Sequence, residues 1–357
     1  MTRHCDVAVV GGGPAGSSCA WALRRAGADV LVVDSAAFPR QKVCAGWITP
    51  RLFDAIALDP NEYRSTGLVL QDVRAFRTGI IGDRRAVDTR YGRIVSYVIR
   101  RVEFDHYLLR RSGAQVVDST RVTSVRRVKD GWQLNDSVFA RAIVGAGGHF
   151  CPIARLLNPR DDHAVTVVGR ELEAQAPLAE ARVEGASPEL YFCRDLDGYG
   201  WCVRKGDYVN VGFGRRTADD FNDHVGAFAA WLRDLGSLPE RLLDWTKWKG
   251  HAYRIRQGTR RVADTGVLLA GDAAAMAWPE SGEGIVPAVE SGLAAAQAIV
   301  NAGAALGDAT FDGYASLVAS PEAPRGSLSL PPSIARPLLR LSPIARLTLN
   351  RWFLRAA

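Results

Sequence analysis

The chain has no C-x-x-C pair, no long apolar run, no internal repeat and no low-complexity linker. Its six cysteines (5, 19, 44, 151, 193 and 202) are scattered, with Cys5 and Cys19 at strand and helix packing positions. That spacing excludes a disulfide framework and a zinc site. No uninterrupted apolar stretch reaches the length that crosses a bilayer. No signal peptide is visible ahead of a strand that starts almost at Met1, so a cytoplasmic protein is expected. The net charge is +7, carried almost wholly by arginine. It admits an anionic substrate or a membrane surface. Nucleic acid is the weakest partner, because no basic stretch is interleaved with aromatics. What remains is ordinary. In 357 residues, 47% are hydrophobic and 23% charged, enough for one large or two intimately packed domains.

One stretch organises the rest: Val7-Ala8-Val9-Val10-Gly11-Gly12-Gly13-Pro14-Ala15-Gly16. It reads as a buried strand, a glycine turn and a helix start. Glycines 11, 13 and 16 fit G-x-G-x-x-G. Gly11 permits the turn, Gly13 lets backbone approach a pyrophosphate, and Gly16 lets helix and strand pack closely. The helix start offers free N–H groups and a positive dipole end to phosphates. A second strand, Val30 to Val33, ends in Asp34, placed to bind a ribose hydroxyl.

The first helix should run to about Ala26 and end at Gly27. Residues 38–48 are too polar and broken for a strand and read as a loop. Thr49-Pro50 reads as a helix start. Residues 67–98 alternate apolar and polar, which predicts strands. A helix is expected over 100–109, short strands over 114–117, 121–128 and 132–134, and an apolar strand ending in Gly145-Ala146-Gly147-Gly148. Residues 163–254 read as an antiparallel, strand-rich region interrupted by a helix near 219–235. Val267 to Ala270 is again strand, then Gly271-Asp272, and Gly282-Glu283-Gly284-Ile285 opens a long helix to about Ala302. The expected fold is α/β: a Rossmann-type domain with an inserted antiparallel-sheet substrate domain. The dinucleotide domain is discontinuous, over 1–70, 100–155 and 255–310. The sheet domain takes 71–99 and 156–254, and 311–357 forms a C-terminal amphipathic helical tail.

Together, the fingerprint with Asp34, the Arg101…Asp105 helix, the Gly145–Gly148 turn and Gly271-Asp272 resemble the aromatic-hydroxylase-like flavoproteins, whose Rossmann region binds FAD. Within them the chain most resembles the geranylgeranyl reductase family. Pro39-Arg40-Gln41-Lys42-Val43-Cys44-Ala45-Gly46 matches that family's pattern of Pro, basic residue, Lys, x, Cys, Gly, Gly after the second strand. Tyr199-Gly200-Trp201-Cys202-Val203-Arg204-Lys205 with Asn210-Val211-Gly212 matches its aromatic motif and following strand. Pro279-Glu280-Ser281-Gly282-Glu283-Gly284-Ile285 matches its flavin-side segment. Ala45 replaces a glycine, Val203-Arg204 replaces Phe-Pro, and the chain is short for the family.

The resemblance implies FAD contacts at Gly11, Gly13, Pro14, Ala15, Gly16, Asp34, Ser35, Lys42, Cys44, Ala45, Arg101, Val122, Gly145, Ala146, Gly271, Asp272, Pro279, Gly282, Gly284 and Ile285. Asp272 would hold the ribityl chain and Arg101 would lie by the pyrophosphate. The helix opening at Gly282–Ile285 could turn its N–H groups to the flavin N1–C2=O edge. Cys44 would either donate a proton to a substrate carbon or shape the pocket, and Lys42 nearby could favour its thiolate. Tyr199 and Trp201 share one strand face. They would wall an apolar tunnel and join Cys44 as catalytic candidates, or pack as core. Lys205 would line the polar end or be solvated. Glu280 and Glu283 could be acids near the flavin or complement the helix dipole. His149 and His251 are read as structural. NAD(P)H, with only one fingerprint present, would bind transiently as reductant.

In residues 321–357, prolines alternate with arginines and with Leu, Ile, Trp and Phe. Two short amphipathic helices split at Pro343 are expected. They would either lie in an anionic membrane interface through 332–357 or pack on the flavin domain or a subunit. The activity implied is FAD-dependent reduction of carbon–carbon double bonds in an apolar, isoprenoid substrate. A flavin monooxygenase or halogenase is the alternative, since Tyr199-Gly200-Trp201 distantly resembles the halogenase W-x-W-x-I-P motif without its first Trp and its Pro. A non-catalytic FAD-binding accessory protein is the third.

Overall fold

Val7 to Val10 carry no polar side chain, and all four are buried. A strand apolar on both faces is one covered on both faces, the signature of a parallel sheet. In the computed structural model, which describes residues 2–159, 165–216, 218–255, 260–319 and 332–354, β1 (Arg3–Val10) lies inside an eight-stranded sheet. It pairs in parallel with Val138–Gly145 on one side and with β2 (Val30–Val33) on the other. Val267–Leu269 extends the sheet beyond Val138–Gly145, and Gln115–Val117 extends it beyond β2. Antiparallel Gly131–Leu134 and Val125–Val128 complete it with short Ala263–Asp264. The expected strand over 121–128 forms only in its second half.

The helix α1 (Pro14–Arg25) packs against the long helix Ile285–Ala302. A Cβ at Gly292 would stand 2.2 Å from the Ala15 carbonyl oxygen. Only glycine lets the two helices approach so closely. Ile285–Ala305 is apolar and long enough to cross a membrane by length and composition. Here Ala295, Ala296 and Ile299 of that helix are buried in the core with Leu23, Val144 and Leu268.

The chain divides into two compact units. The first is Met1–Gln41, Val102–Val165 and Tyr253–Glu322; the second is Lys42–Arg101, Thr166–Ala252 and Ala323–Ala357. Residues 42–70, expected with the dinucleotide region, therefore fall in the second unit. The reason is strand pairing: Trp47–Ile48 and Leu70–Val73 flank Ser96–Ile99 in a three-stranded sheet. The tail is divided too, since helix Asp312–Ala319 belongs to the first unit and 332–354 to the second.

The second unit also holds strands of a seven-stranded sheet, in the order Lys249–Ile255, Val165–Gln175, Tyr208–Arg215, Gly198–Lys205, Glu189–Phe192, Ala75–Ile80 and Ala86–Arg90. Tyr208–Arg215 pairs antiparallel with Val165–Gln175 and with Gly198–Lys205, as do Gly198–Lys205 with Glu189–Phe192 and Ala75–Ile80 with Ala86–Arg90, whereas Glu189–Phe192 runs parallel to Ala75–Ile80. The helix Phe221–Leu235 buries Val225, Phe228, Ala229 and Leu232 at helical spacing and ends at Gly236 in the left-handed region. Its Phe228 ring sits where a Cβ of Gly200 would be, at 2.3 Å.

The tail forms the two helices expected of it, Pro332–Leu339 and Ser342–Thr348, and then a wider turn over Leu349–Leu354. Leu349, Phe353 and Leu354 are buried with Trp47, Phe76, Phe192 and Trp201. These three apolar residues of the tail thus lie in the second unit's own core.

Candidate active site

In the first unit the cradle at the end of β1 is made of backbone. Gly11 sits at φ +115°, and a Cβ there would lie 2.3 Å from the Ala146 oxygen. A Cβ on Gly16 would lie 1.8 Å from the Gly11 oxygen. Gly11 N–H donates to Val33 O at 2.8 Å and Ala146 N–H to Val10 O at 2.8 Å, so Gly145 and Ala146 close the turn from the far side. Pro14 and Ala15 open α1. No acidic side chain stands in its first turn, and its N-cap Gly13 makes no side-chain cap. Asp34, at the end of β2, accepts from Gly12 N–H at 2.7 Å and from Ala36 N–H at 2.8 Å. Ser35 beside it is exposed and Val122 is buried in the same core.

Gly13 differs from its neighbours. A Cβ there would meet only the Arg40 guanidinium, at 3.2 Å. Arg40 lies over the Phe38 ring and pairs at 3.2 Å with Asp105, which is fully buried. An uncapped helix N-terminus beside a guanidinium, with a glycine at the approach, fits a pyrophosphate. The sequence reading missed Arg40. Its signal was Asp105: a buried carboxylate needs a cation, and an arginine in the loop after Asp34 can supply it. Arg101, expected in this role, is buried at the start of helix Arg101–Arg111, in the second unit.

Gly271, Asp272 and the Pro279–Ile285 segment of the expected cradle are also in the first unit. Gly271 has φ +63° and its N–H donates to Ser291 Oγ at 3.0 Å. Asp272 Oδ1 lies 3.3 Å from where a Gly284 Cβ would be, which sets its carboxylate beside the start of helix Ile285–Ala302. The Pro279–Gly284 segment is a turn closed by Gly282 N–H to Trp278 O at 2.8 Å and Trp278 N–H to Glu283 O at 2.9 Å. A Cβ on Gly282 would strike the Tyr253 hydroxyl at 2.1 Å.

Lys42, Cys44 and Ala45 lie in the second unit, in the loop before Trp47–Ile48. Lys42 Nζ bonds His251 Nε2. That pairing gives His251 the partner that sequence reading could not name. Cys44 is half-buried, and its Sγ accepts from Gly46 N–H at 3.3 Å. Ala45 packs against the aromatic cluster that holds Trp47, Trp201 and Tyr199. Trp201 and Tyr199 do share a face, with ring centroids 5.9 Å apart. Trp201 is anchored by its indole N–H, which donates to buried Asn210 Oδ1 at 2.6 Å. Tyr199 is half-buried and meets Phe353 edge-on at 5.6 Å.

Lys205, expected to line the polar end or be solvated, is not solvated. It is fully buried, and its Nζ donates to Glu173 Oε2 at 2.7 Å and to Cys44 O at 3.3 Å. Arg100 Nε donates to the other oxygen of Glu173 at 2.9 Å and stacks over Tyr208. Burial alone would raise the Glu173 carboxyl, but Lys205 and Arg100 reverse this and hold it below its ordinary value. Glu171, two residues earlier on the same strand face, goes the other way. Burial raises it, and Lys205, the Cys44 amide and Asn210 offset that only in part. The sequence analysis did not single out Glu171 or Glu173, since an acidic residue in a strand-rich region carries no local sign of burial.

The FAD dependent oxidoreductase family matches residues 6–96. A menaquinone reductase of Mycolicibacterium smegmatis is 32% identical over 340 residues, covering 85% of this chain and 78% of the relative. A digeranylgeranylglycerophospholipid reductase of Methanopyrus kandleri is 29% identical over 328 residues, covering 83% and 80%. Among solved structures, a geranylgeranyl bacteriochlorophyll reductase-like protein of Thermoplasma acidophilum superposes with a TM-score of 0.74 at 18% identity, over 99% of this chain and 97% of that one. This last likeness is one of fold.

Proposed function

The chain belongs to the geranylgeranyl reductase family of FAD-dependent oxidoreductases, and from that premise we propose that it reduces carbon–carbon double bonds in the isoprenoid part of an apolar substrate. The observation that carries the reading is the position of Ala45. The residue next to Cys44 packs against the apolar cluster that includes Trp47, Trp201 and Phe353, against which Tyr199 packs as well. A flat, unsaturated hydrocarbon chain suits such a wall, and a charged or strongly polar substrate does not. The relatives named for menaquinone and for geranylgeranyl lipids support a prenyl chain as the part recognised.

FAD, when bound and reduced, supplies the hydride. In this reading Gly13, the N–H groups opening α1 and Arg40 hold the pyrophosphate, Asp34 the ribose, and Asp272 the ribityl chain. Glycines 282 and 284 let the start of the last core helix come close to the flat ring. Arg101 completes the phosphate contacts. Tyr199 and Trp201 exclude water and orient the prenyl chain, and the Cys44 thiol holds the proton that the second carbon receives. NAD(P)H serves as a transient reductant. The substrate is drawn from the cytoplasmic face of a bilayer.

The experiment is anaerobic. The yellow holoprotein is reduced with dithionite and mixed with geranylgeranyl diphosphate or, separately, with a menaquinone, while flavin absorbance is followed. The expected result is reoxidation without oxygen, with product heavier by about two mass units per bond reduced. Flavin that stays reduced until air enters would overturn the reading and move it to oxygen chemistry.

A further inference from the structure

We infer that Lys205 is a positioning residue: with Glu173 and Arg100 behind it, it clamps the Cys44 peptide and so fixes the thiol against the aromatic wall. The inference rests on the prenyl-reductase reading for what the thiol does, and on geometry alone for the clamp.

A lysine with no exposed surface is costly unless its three donors are used. Lys205 donates to Glu173 Oε2 at 2.7 Å and to the Cys44 carbonyl at 3.3 Å. Glu173 in turn is gripped by Arg100, so the anion that holds Lys205 is itself held. On the other side of the same residue, the Cys44 amide interacts with the buried Glu171 carboxyl. The Cys44 residue is thus engaged at both its carbonyl and its amide by groups on the sheet.

The next residues close the device. Gly46 has φ +74°, and a Cβ there would lie 2.0 Å from Ile99 O and 2.9 Å from Lys205 Nζ. Ile99 N–H donates back to Gly46 O at 2.8 Å. At Gly46 the loop is therefore pressed against both the strand Ser96–Ile99 and Lys205. Holding a reacting proton within a fraction of an ångström is worth orders of magnitude in rate. A loop residue carries such a duty only if something buried fixes it. Lys205 ends the strand that also bears Tyr199 and Trp201. One strand then sets both the wall and the thiol.

The test uses the holoenzyme with Lys205→Met, Lys205→Arg, Cys44→Ser and the double variant Lys205→Met/Cys44→Ser. Methionine keeps the length and leaves Glu173 paired with Arg100, so no orphaned charge should unfold the protein. Thermal melts and flavin content check this. Maleimide labelling reads Cys44 directly, because the other five cysteines carry thiols that burial pushes up, three of them to about 12. The clamp predicts that Lys205→Met changes the Cys44 labelling rate at least ~5-fold, and lowers kcat ~10- to 100-fold on geranylgeranyl diphosphate with KM within ~2-fold. Lys205→Arg should recover part of both, and the double variant should be no slower than Cys44→Ser alone. An unchanged labelling rate in Lys205→Met, or losses that multiply in the double variant, would overturn the clamp. Altered labelling in a protein that reduces no prenyl substrate would uphold the clamp and overturn the reading it rests on.

Discussion

The two units build their sites from different materials. The first uses backbone: glycines at 11, 13, 16, 271, 282 and 284, a helix start and the edge of a parallel sheet. The second uses side chains: a buried lysine, two glutamates and an arginine behind a wall of Trp and Tyr. Backbone sites tolerate no added atom but ask little of the surrounding charge. Side-chain sites tolerate volume-conserving change but depend on every buried charge being answered. The two should break in different ways.

The largest expected effect separates two glycines three residues apart. Gly16→Ala puts a Cβ 1.8 Å from the Gly11 oxygen. It should cost more than about 4 kcal/mol and yield little folded protein. Gly13→Ala meets only the movable end of Arg40 at 3.2 Å. It should fold normally and lose FAD affinity by roughly 10- to 100-fold. Melting curves and flavin titration read both. Equal damage from the two substitutions would erase the distinction between a packing glycine and a phosphate glycine.

Next is Trp201→Ala in the second unit. Deleting a buried Trp costs about 3–5 kcal/mol. The loss also strips buried Asn210 Oδ1 of its 2.6 Å donor. Trp201→Phe keeps most of the packing and loses the hydrogen bond, so it should cost about 1–3 kcal/mol. Urea unfolding distinguishes them. A Trp201→Phe protein as stable as wild type would mean that the Asn210 bond contributes nothing.

Much of the first unit was legible in the sequence, because a backbone requirement leaves a residue type behind. Only glycine serves at Gly11 and Gly16, so their spacing announces strand, turn and helix. Lys205 left no such trace. A lysine ending an alternating strand reads as solvated, and its partner Glu173 lies thirty-two residues away. Arg40 was quoted in a motif and still missed, because nothing local says that it answers Asp105. The unit boundary near Lys42 was missed for the same reason. A two-residue strand, Trp47–Ile48, carries that pairing, and its partners are at 96–99. Contacts that depend on pairing at long range have no local period to read.

A smaller effect reads the charges of the second unit by pH. The Glu173 carboxyl is lowered on folding, so its contribution is full above the ordinary carboxylate range and lost as pH falls. Glu171 is raised, so its contribution is full below that range and lost as pH rises through its folded value. The slope from one such group is at most about 1.4 kcal/mol per pH unit. Glu171→Gln removes the falling limb alone. Its stability relative to wild type should therefore climb between acid and neutral pH. A constant difference across that range would mean that Glu171 titrates no differently in the folded and unfolded chains.

The smallest effect on stability concerns the tail, and there the two readings of its apolar residues separate by side. Leu349, Phe353 and Leu354 are core, and Phe353→Ala should cost about 3 kcal/mol or more. Leu341 and Leu347 are 52% and 61% exposed. Substituting both by Glu should change stability by no more than about 0.5 kcal/mol each. Arg340 pairs with Asp83 at 2.6 Å, and Arg346 donates to Arg90 O at 2.9 Å, so two of the tail's cations already anchor it to its own unit. If the outer edge touches a bilayer, it does so through these two leucines. The pair of Glu substitutions should then weaken sedimentation with anionic vesicles several-fold, while the stability measured in their absence stays where it was. Vesicle binding that survives both substitutions would leave the tail as a packing element alone, and the prenyl substrate would have to reach the aromatic wall by another route.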